Sequence, residues 1–253
     1  MSIYSVFFSP TGGTQAVMDS LCTSLGKVIP LDLTDRNADF SRWHFTAQDL
    51  VLVGMPVYGG RFPALAMERF AQMQGDSTPC ALVAVYGNRA IDDALIDLSD
   101  TAQTRGFLPV AGVEAVAKHS LFPQVAADRP DADDRAQLAA MGRKIAAAAQ
   151  SPALAEMPGK RPYKLRKPNQ LFPQWKADAC TACGQCAQAC PAGAIDPENL
   201  SAIDPDKCIA CMRCVSLCPT GARIQPPEQM AAMWARLEPV FSGHKPNVLY
   251  LAK

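Results

Sequence analysis

The chain has 253 residues with 24 basic and 24 acidic side chains, so its formal net charge is zero. Hydrophobic residues make up 49% and charged residues 19%, which allows a buried core and excludes wholesale disorder. A neutral chain carries no electrostatic footprint of a nucleic-acid binder, and no apolar run reaches the roughly 18 residues of a membrane span.

Met1–Phe8 lacks the basic start and long apolar run of an export signal, so a cytoplasmic location is expected. Ser2–Phe8 reads as a strand, Thr14–Leu25 as a helix, and Lys27–Leu33 and Leu50–Gly54 as strands. Pro63–Met73 has helical spacing with Pro63 in the first turn, Cys80–Tyr86 is a buried strand, and Ile91–Thr104 a helix. Leu108–Ala117 is a fifth strand, and Asp131–Ala149 an amphipathic helix. Strands alternating with helices predict an α/β domain over residues 1–150, with five strands in a doubly wound parallel sheet.

Composition changes near residue 150. Residues 1–150 hold 12 basic and 16 acidic side chains, net −4, whereas the remainder holds 12 and 8, net +4. Residues 151–174 include Pro152, Pro158, Pro162, Pro168 and Pro173 and read as a proline-rich basic linker. Lys160 to Lys167 holds five cations in eight residues, either a steering patch for an acidic partner or a solvated segment balancing negative charge nearby. Residues 175–226 form a small cysteine-rich α+β unit, and 227–253, with Trp234, Phe241 and Tyr250, a tail that docks on one of the domains.

Eight of the ten cysteines lie in that small unit, as a duplicated C-x2-C-x2-C-x3-C-P run. Cys180, Cys183, Cys186, Cys190 and Pro191 are echoed 28 residues later by Cys208, Cys211, Cys214, Cys218 and Pro219. This is the bacterial iron–sulfur pattern, in which three thiolates wrap one cluster and the fourth cysteine reaches the other. One 4Fe-4S cluster would take Cys180, Cys183, Cys186 and Cys218, and a second would take Cys208, Cys211, Cys214 and Cys190. Zinc needs only four ligands per ion and accounts for neither the third cysteine nor the proline. So small a unit, with few large apolar side chains, depends on its clusters for stability. Cys22 and Cys80 read as core residues, and the run resembles the two-cluster bacterial ferredoxins across residues 175–226.

Three glycine-bearing loops follow strands of the first domain. Ser9-Pro10-Thr11-Gly12-Gly13-Thr14 leads into a helix N-terminus, where backbone amides and hydroxyls form a phosphate cradle. It has neither the lysine of a nucleoside-triphosphate loop nor a dinucleotide fingerprint. The loops after the third and fourth strands fall at the ligand-binding edge of a doubly wound sheet. Together the three resemble flavodoxin, with Gly13 standing where asparagine is usual. That resemblance implies that Ser9, Thr11, Gly12, Gly13 and Thr14 hold the phosphate of FMN. It also implies that Pro56, Val57, Tyr58, Gly59 and Gly60, with Tyr86, Gly87, Asn88 and Arg89, border its ring. Tyr58 and Tyr86 would stack on the ring or pack on neighbours, and Gly59-Gly60 would permit a peptide flip on reduction. Arg89 would offset negative charge or lie in solvent. Asp92 and Asp93 are expected in the first turn of a helix, and His119 on a surface loop.

The two halves together resemble the flavodoxin–ferredoxin fusion family. The resemblance implies an electron-transfer protein that couples two one-electron 4Fe-4S clusters to FMN and exchanges electrons with a redox partner, either a ferredoxin or a reductase or acceptor enzyme. The alternative is a flavin-dependent reductase acting on an organic substrate or cofactor, with electrons fed through the clusters. A redox sensor is a third reading, but no output domain is recognisable. No acid–base or nucleophile constellation accompanies the loops, which favours a carrier.

Overall fold

The computed structural model describes residues 1–166, 168 and 170–252. The first domain runs β1 (Ile3–Phe7), α1 (Gly13–Cys22), β2 (Val28–Asp32), β3 (His44–Phe45), β4 (Leu50–Pro56) and α2 (Ala64–Phe70). It continues with β5 (Gln74–Gly75), β6 (Thr78–Tyr86), α3 (Ala94–Thr104), β7 (Phe107–Val116) and α4 (Ala132–Ala148). The main sheet has neighbours in the order β2-β1-β4-β6-β7, all parallel. Counted along the chain this is 2-1-3-4-5, the doubly wound order of flavodoxin. The short β3 and β5 pair separately.

Both faces of the central strands are covered, which is why β4 and β6 read as continuous apolar runs. Leu50, Leu52, Ala81 and Val83 face Val17, Met18 and Leu21 of α1 and Leu138 and Ile145 of α4. The alternate residues Val51, Val53, Leu82 and Ala84 face Ala66 and Phe70 of α2 and Leu95 and Leu98 of α3. Gly142 lets α4 approach α1, since a Cβ there would run into the Leu21 carbonyl. Cys80 is fully buried and Cys22 half-buried in α1.

The linker is a bound strap. Ala155 N–H donates to the Pro109 carbonyl at 2.9 Å, and Lys160 and Lys164 N–H donate to Asp93 at 2.9 and 2.7 Å. Arg161 pairs with Asp100, Lys164 with Asp92 and Arg166 with Asp97. Arg61 binds Asp97 at 2.7 Å and the Lys164 carbonyl at 2.7 Å, and lies 4.6 Å from the Tyr163 ring centre. Three cations of the run read as either a steering patch or a solvated segment are therefore paired with acidic residues around α3. Lys167, counted in the same run, lies outside the described residues.

The cysteine-rich unit contains β8 (Gln174–Trp175), α5 (Gln185–Gln188), α6 (Arg213–Ser216) and β9 (Arg223–Ile224). Residues 227–253 provide α7 (Pro227–Leu237), a 3-10 turn over Glu238–Phe241 and β10 (Val248–Leu251). β10 adds antiparallel to β7 as a sixth strand, and Trp234 and Phe241 pack with Phe122. The tail thus completes the first domain. Among the described residues no helix is long and apolar enough to cross a membrane.

Candidate functional site

The duplication is visible in the backbone as well as in the cysteines. Ala182 and Ala210 adopt φ 54° and 52°, and Gly184 and Met212 φ 73° and 62°, each pair 28 residues apart. A left-handed conformation costs a non-glycine residue about 1–2 kcal/mol. Met212 meets that cost where the first copy has glycine, and is itself buried.

Cys190, from the first copy, joins Cys208, Cys211 and Cys214 around one pocket, with Pro191, Ala194, Ile195 and Met212 among the other walls. Burial first, then neighbouring cysteines, push the Cys211 and Cys214 thiols up to about 12. Thiols this buried do not ionise together without a cation, and iron supplies that charge in a cluster. Among the described residues no three Cys, His, Asp or Glu side chains converge on a single-ion site; the four thiols ring a space instead.

Each fourth cysteine receives amide hydrogen bonds just after its proline. Ala194 N–H donates to Cys190 Sγ at 3.3 Å. Burial raises the Cys218 thiol, but the amides of Arg223, Thr220 and Ala222 and the Thr220 hydroxyl bring it below its ordinary value. Cys180, Cys186 and Cys218 are half-buried and Cys183 is exposed. Helix α5 packs on α6, which places Cys186 within electrostatic reach of Cys214.

At the first glycine loop, Gly12 caps α1 at φ 88° without a side-chain hydrogen bond. Ser9 is buried; its Oγ accepts from Gln15 N–H at 2.9 Å and its own N–H donates to Thr34 Oγ1 at 2.7 Å. Thr11, Gly12, Gly13 and Thr14 N–H donate to no protein acceptor among the described residues. These four donors at a helix N-terminus fit an anionic phosphate.

The cysteine unit reaches this loop. Arg213 Nη1 donates to the Pro10 carbonyl at 2.8 Å, while its buried Nε has no partner. Arg69 of α2 bridges the Leu33 and Pro191 carbonyls at 2.6 Å each, tying the end of β2 to the residue after Cys190. Tyr58 is half-buried; burial and then Cys211 hold its phenol well above its ordinary range.

The two expected ring loops are placed less simply. Pro56 ends β4, and Val57 N–H donates to the Val85 carbonyl at 2.8 Å. Gly59 is exposed, and a Cβ on Gly60 would strike Asp92. Tyr86 is buried in the core, its phenol raised by burial and then by Glu114. Gly87 gives room for the His119 ring. Asn88 Nδ2 donates to the carbonyls of Phe241 at 2.7 Å and Gly243 at 2.9 Å, so it holds the C-terminal segment. Arg89 pairs with Asp92 at 2.6 Å. Asp92 itself has φ 44°, and α3 starts two residues later than Asp92, which lies outside its first turn.

His119 lies on a loop, as expected, and is half-buried. Its Nδ1 accepts from the N–H of Leu121 at 3.0 Å and Phe122 at 3.3 Å, and its ring packs on Phe122 and Phe241. Burial lowers its pKa to about 4, so the ring is neutral near pH 7.

Sequence reasoning missed the arginines. Arg213 sits inside the second cysteine run, where only the cysteines drew attention, and its target is a carbonyl that no motif marks. Arg69 and Arg61 lie in a predicted helix and loop without any sign that they are buried.

The family described as 4Fe-4S dicluster domain matches residues 179–222. The first domain is similar to solved flavodoxins. One from the domain Archaea is 15% identical with a TM-score of 0.43, over 59% of this chain and 99% of that one. One from Streptococcus pneumoniae TIGR4 is 20% identical with a TM-score of 0.42, over 58% and 99%. Flavodoxin 2 from Bacillus cereus is 14% identical with a TM-score of 0.43, over 58% and 99%. No curated protein sequence matches this chain. A doubly wound domain with the flavodoxin strand order is thus followed by a 4Fe-4S dicluster domain, a make-up that fits a flavodoxin–ferredoxin fusion.

Proposed function

We propose that this protein is an electron carrier that binds two 4Fe-4S clusters and one FMN and exchanges electrons with a partner redox protein. The observation that carries the reading is the seam between the two halves. The loop bearing Cys211 and Cys214 touches the phosphate loop through Arg213, and Cys211 lies beside Tyr58. When bound, the clusters handle single electrons and the flavin one or two.

Within this reading, Cys208, Cys211, Cys214 and Cys190 hold the cluster nearer the flavin. Cys180, Cys183, Cys186 and Cys218 hold the other, on the side where Cys183 meets solvent. Ser9 fixes the phosphate loop, and the amides of Thr11 to Thr14 with the Thr11 and Thr14 hydroxyls receive the phosphate. Arg213 adds a cation from the second half. Pro56 to Gly60 and Gly87 border the ring, and Tyr58 is the aromatic residue at the seam. Asn88 and Arg89 contribute indirectly, by fixing the C-terminal segment and Asp92.

A cavity of about 490 Å³ beside Asn88 supports the alternative of a reductase. Val125, Arg129, Trp234, Phe241 and His244 line it, and its size suits a small organic molecule. Glu238 lines it as well. The carrier reading is preferred because the second cysteine loop contacts the phosphate loop through Arg213, whereas this cavity lies against the C-terminal segment.

Iron, sulfide and flavin analysis of anaerobically purified protein tests the reading. About eight irons and about one FMN per chain are expected from two four-iron clusters and one flavin. Eight irons with no flavin bound after FMN is added would leave a plain ferredoxin attached to a scaffold.

A further inference from the structure

The two copies of the cysteine repeat differ in what stands behind the fourth cysteine. An offset of 28 residues aligns Cys190-Pro191 with Cys218-Pro219 and Gly193 with Gly221. Pro191 is buried and Pro219 exposed. A Cβ on Gly193 would lie 3.5 Å from the guanidinium of Arg36, a residue of the first domain, whereas one on Gly221 would meet open space. The first domain therefore backs one copy of this turn and leaves the other to solvent.

Arg69 makes the hydrogen bonds. It lies in α2 with the buried Ala66, Met67 and Phe70 and is itself 8% exposed, on the face where such a helix ordinarily carries apolar side chains. Among the described residues no carboxylate pairs with it. Its fork spans two backbone carbonyls instead, Nη1 donating to Leu33 and Nη2 to Pro191, both at 2.6 Å. Burying a cation on neutral acceptors is costly, so joining these two segments has to offset that cost. Leu33 precedes Thr34, whose hydroxyl accepts from Ser9 N–H of the phosphate loop. Pro191 follows Cys190, whose carbonyl and Sγ accept from the N–H of Gly193 and Ala194 at 3.2 and 3.3 Å. The turn at Cys190 is thus held by its own amides from within and by Arg69 from the first domain.

We propose that Arg69 is a positioning residue for the cluster held by Cys190, Cys208, Cys211 and Cys214, so that this cluster site is complete only with the first domain docked against it. The inference rests on the two-cluster reading above. Cys208, Cys211 and Cys214 share one loop, and their mutual geometry is local. Cys190 has to be brought to them from the preceding copy, and the backbone next to it is what Arg69 holds. An outer partner that orients a metal ligand typically contributes about 10–100-fold to retention of the metal. The turn after Cys218 has no such backing, so the two clusters are held with unequal firmness although their ligand spacings are the same.

The test is removal of iron by a chelator from the full chain, purified without oxygen, with iodoacetamide present and the freed thiols identified by peptide mass spectrometry. In Arg69→Gln, alkylation of Cys190, Cys208, Cys211 and Cys214 is expected to quicken at least about tenfold, and that of Cys180, Cys183, Cys186 and Cys218 less than about threefold. Unchanged rates overturn the proposal, and so does equal quickening of both sets, which marks a general loosening of the fold. If Arg69→Gln is recovered without iron, Arg69→Lys decides by the same comparison. It keeps the charge but not the flat fork that spans two carbonyls, and at least about threefold is expected for the Cys190 set alone. If neither variant retains iron, the parent protein decides: Cys190 and its three partners should be freed after the other four, and the reverse order overturns the proposal. Parent protein with only about four irons, or with Cys190 freed together with Cys180, Cys183 and Cys186, would instead refute the two-cluster reading itself.

Discussion

Arg213 and Pro10 are 203 positions apart in sequence, yet the guanidinium of one donates to the carbonyl of the other at 2.8 Å. This bond joins the second cysteine loop to the phosphate loop and leaves a further buried N–H of the same guanidinium free. The side chain is a domain contact and, on the proposed FMN reading, a charge beside the phosphate.

Arg213→Ala should weaken FMN binding by about 1.5–3 kcal/mol, roughly ten- to a hundredfold, as expected when a charged hydrogen-bond donor is removed. Iron content should be unaffected, since the substitution removes no thiol. Quenching of free-flavin fluorescence on titration into apo-flavin protein measures the change. An unchanged affinity would restrict Arg213 to domain packing.

Asp134 is the anchor of the C-terminal segment. Its buried carboxylate accepts from Arg129 at 2.7 and 2.5 Å, from Asp131 N–H at 3.0 Å and from Asn247 Nδ2 at 2.8 Å. Arg129 in turn holds the Lys245 carbonyl at 2.6 Å. Asp134→Ala leaves Arg129 buried and unpaired and is expected to cost about 3–5 kcal/mol. Urea denaturation of the first domain reads this directly.

His119 gives a pH dependence of known sign. Burial lowers its pKa to about 4 against an ordinary 6.5, so the unfolded chain binds the proton more readily. Its contribution is fully present above pH 6.5 and is lost as pH falls towards 4. His119→Asn keeps an acceptor for the Leu121 and Phe122 amides without the titration. That variant should lose part of the stability slope between pH 6.5 and 4, measured by denaturation midpoints. An identical slope would assign the acid sensitivity elsewhere.

Removing iron should unfold the cysteine unit and spare the sheet. Residues 175–226 contain few large buried side chains; Ala187, Ala194, Ile195, Met212 and Ala222 are the apolar ones. Chelation under reducing conditions should expose this span to protease, while the fragments from the first domain persist. Equal resistance before and after chelation would show that the unit packs without metal.

Much of the fold was legible. The alternation of Leu50, Val51, Leu52 and Val53 between two cores follows from a strand covered on both faces, and the duplicated cysteine spacing marked the second unit without any structure. The C-terminal strand was not legible, because Val248–Leu251 is too short and too near a proline-bearing loop to announce its pairing with β7. The ring loops were only partly readable. Asn88 has the right residue type at the right strand end, but its side chain turns to the carbonyls of Phe241 and Gly243, which lie far along the chain. Arg161, Lys164 and Arg166 looked like a free patch because their partners Asp100, Asp92 and Asp97 sit on or beside a different element.

β10 has a further consequence for assembly. It is made after the dicluster segment, yet it completes the sheet of the domain made before it, so the iron–sulfur unit is topologically a long insertion closed at both ends on one scaffold. During synthesis the edge of β7 stays bare until the cysteine loops have already emerged. An uncovered edge is the kind of surface that recruits neighbouring chains, so that hazard lasts until the whole dicluster segment has been made.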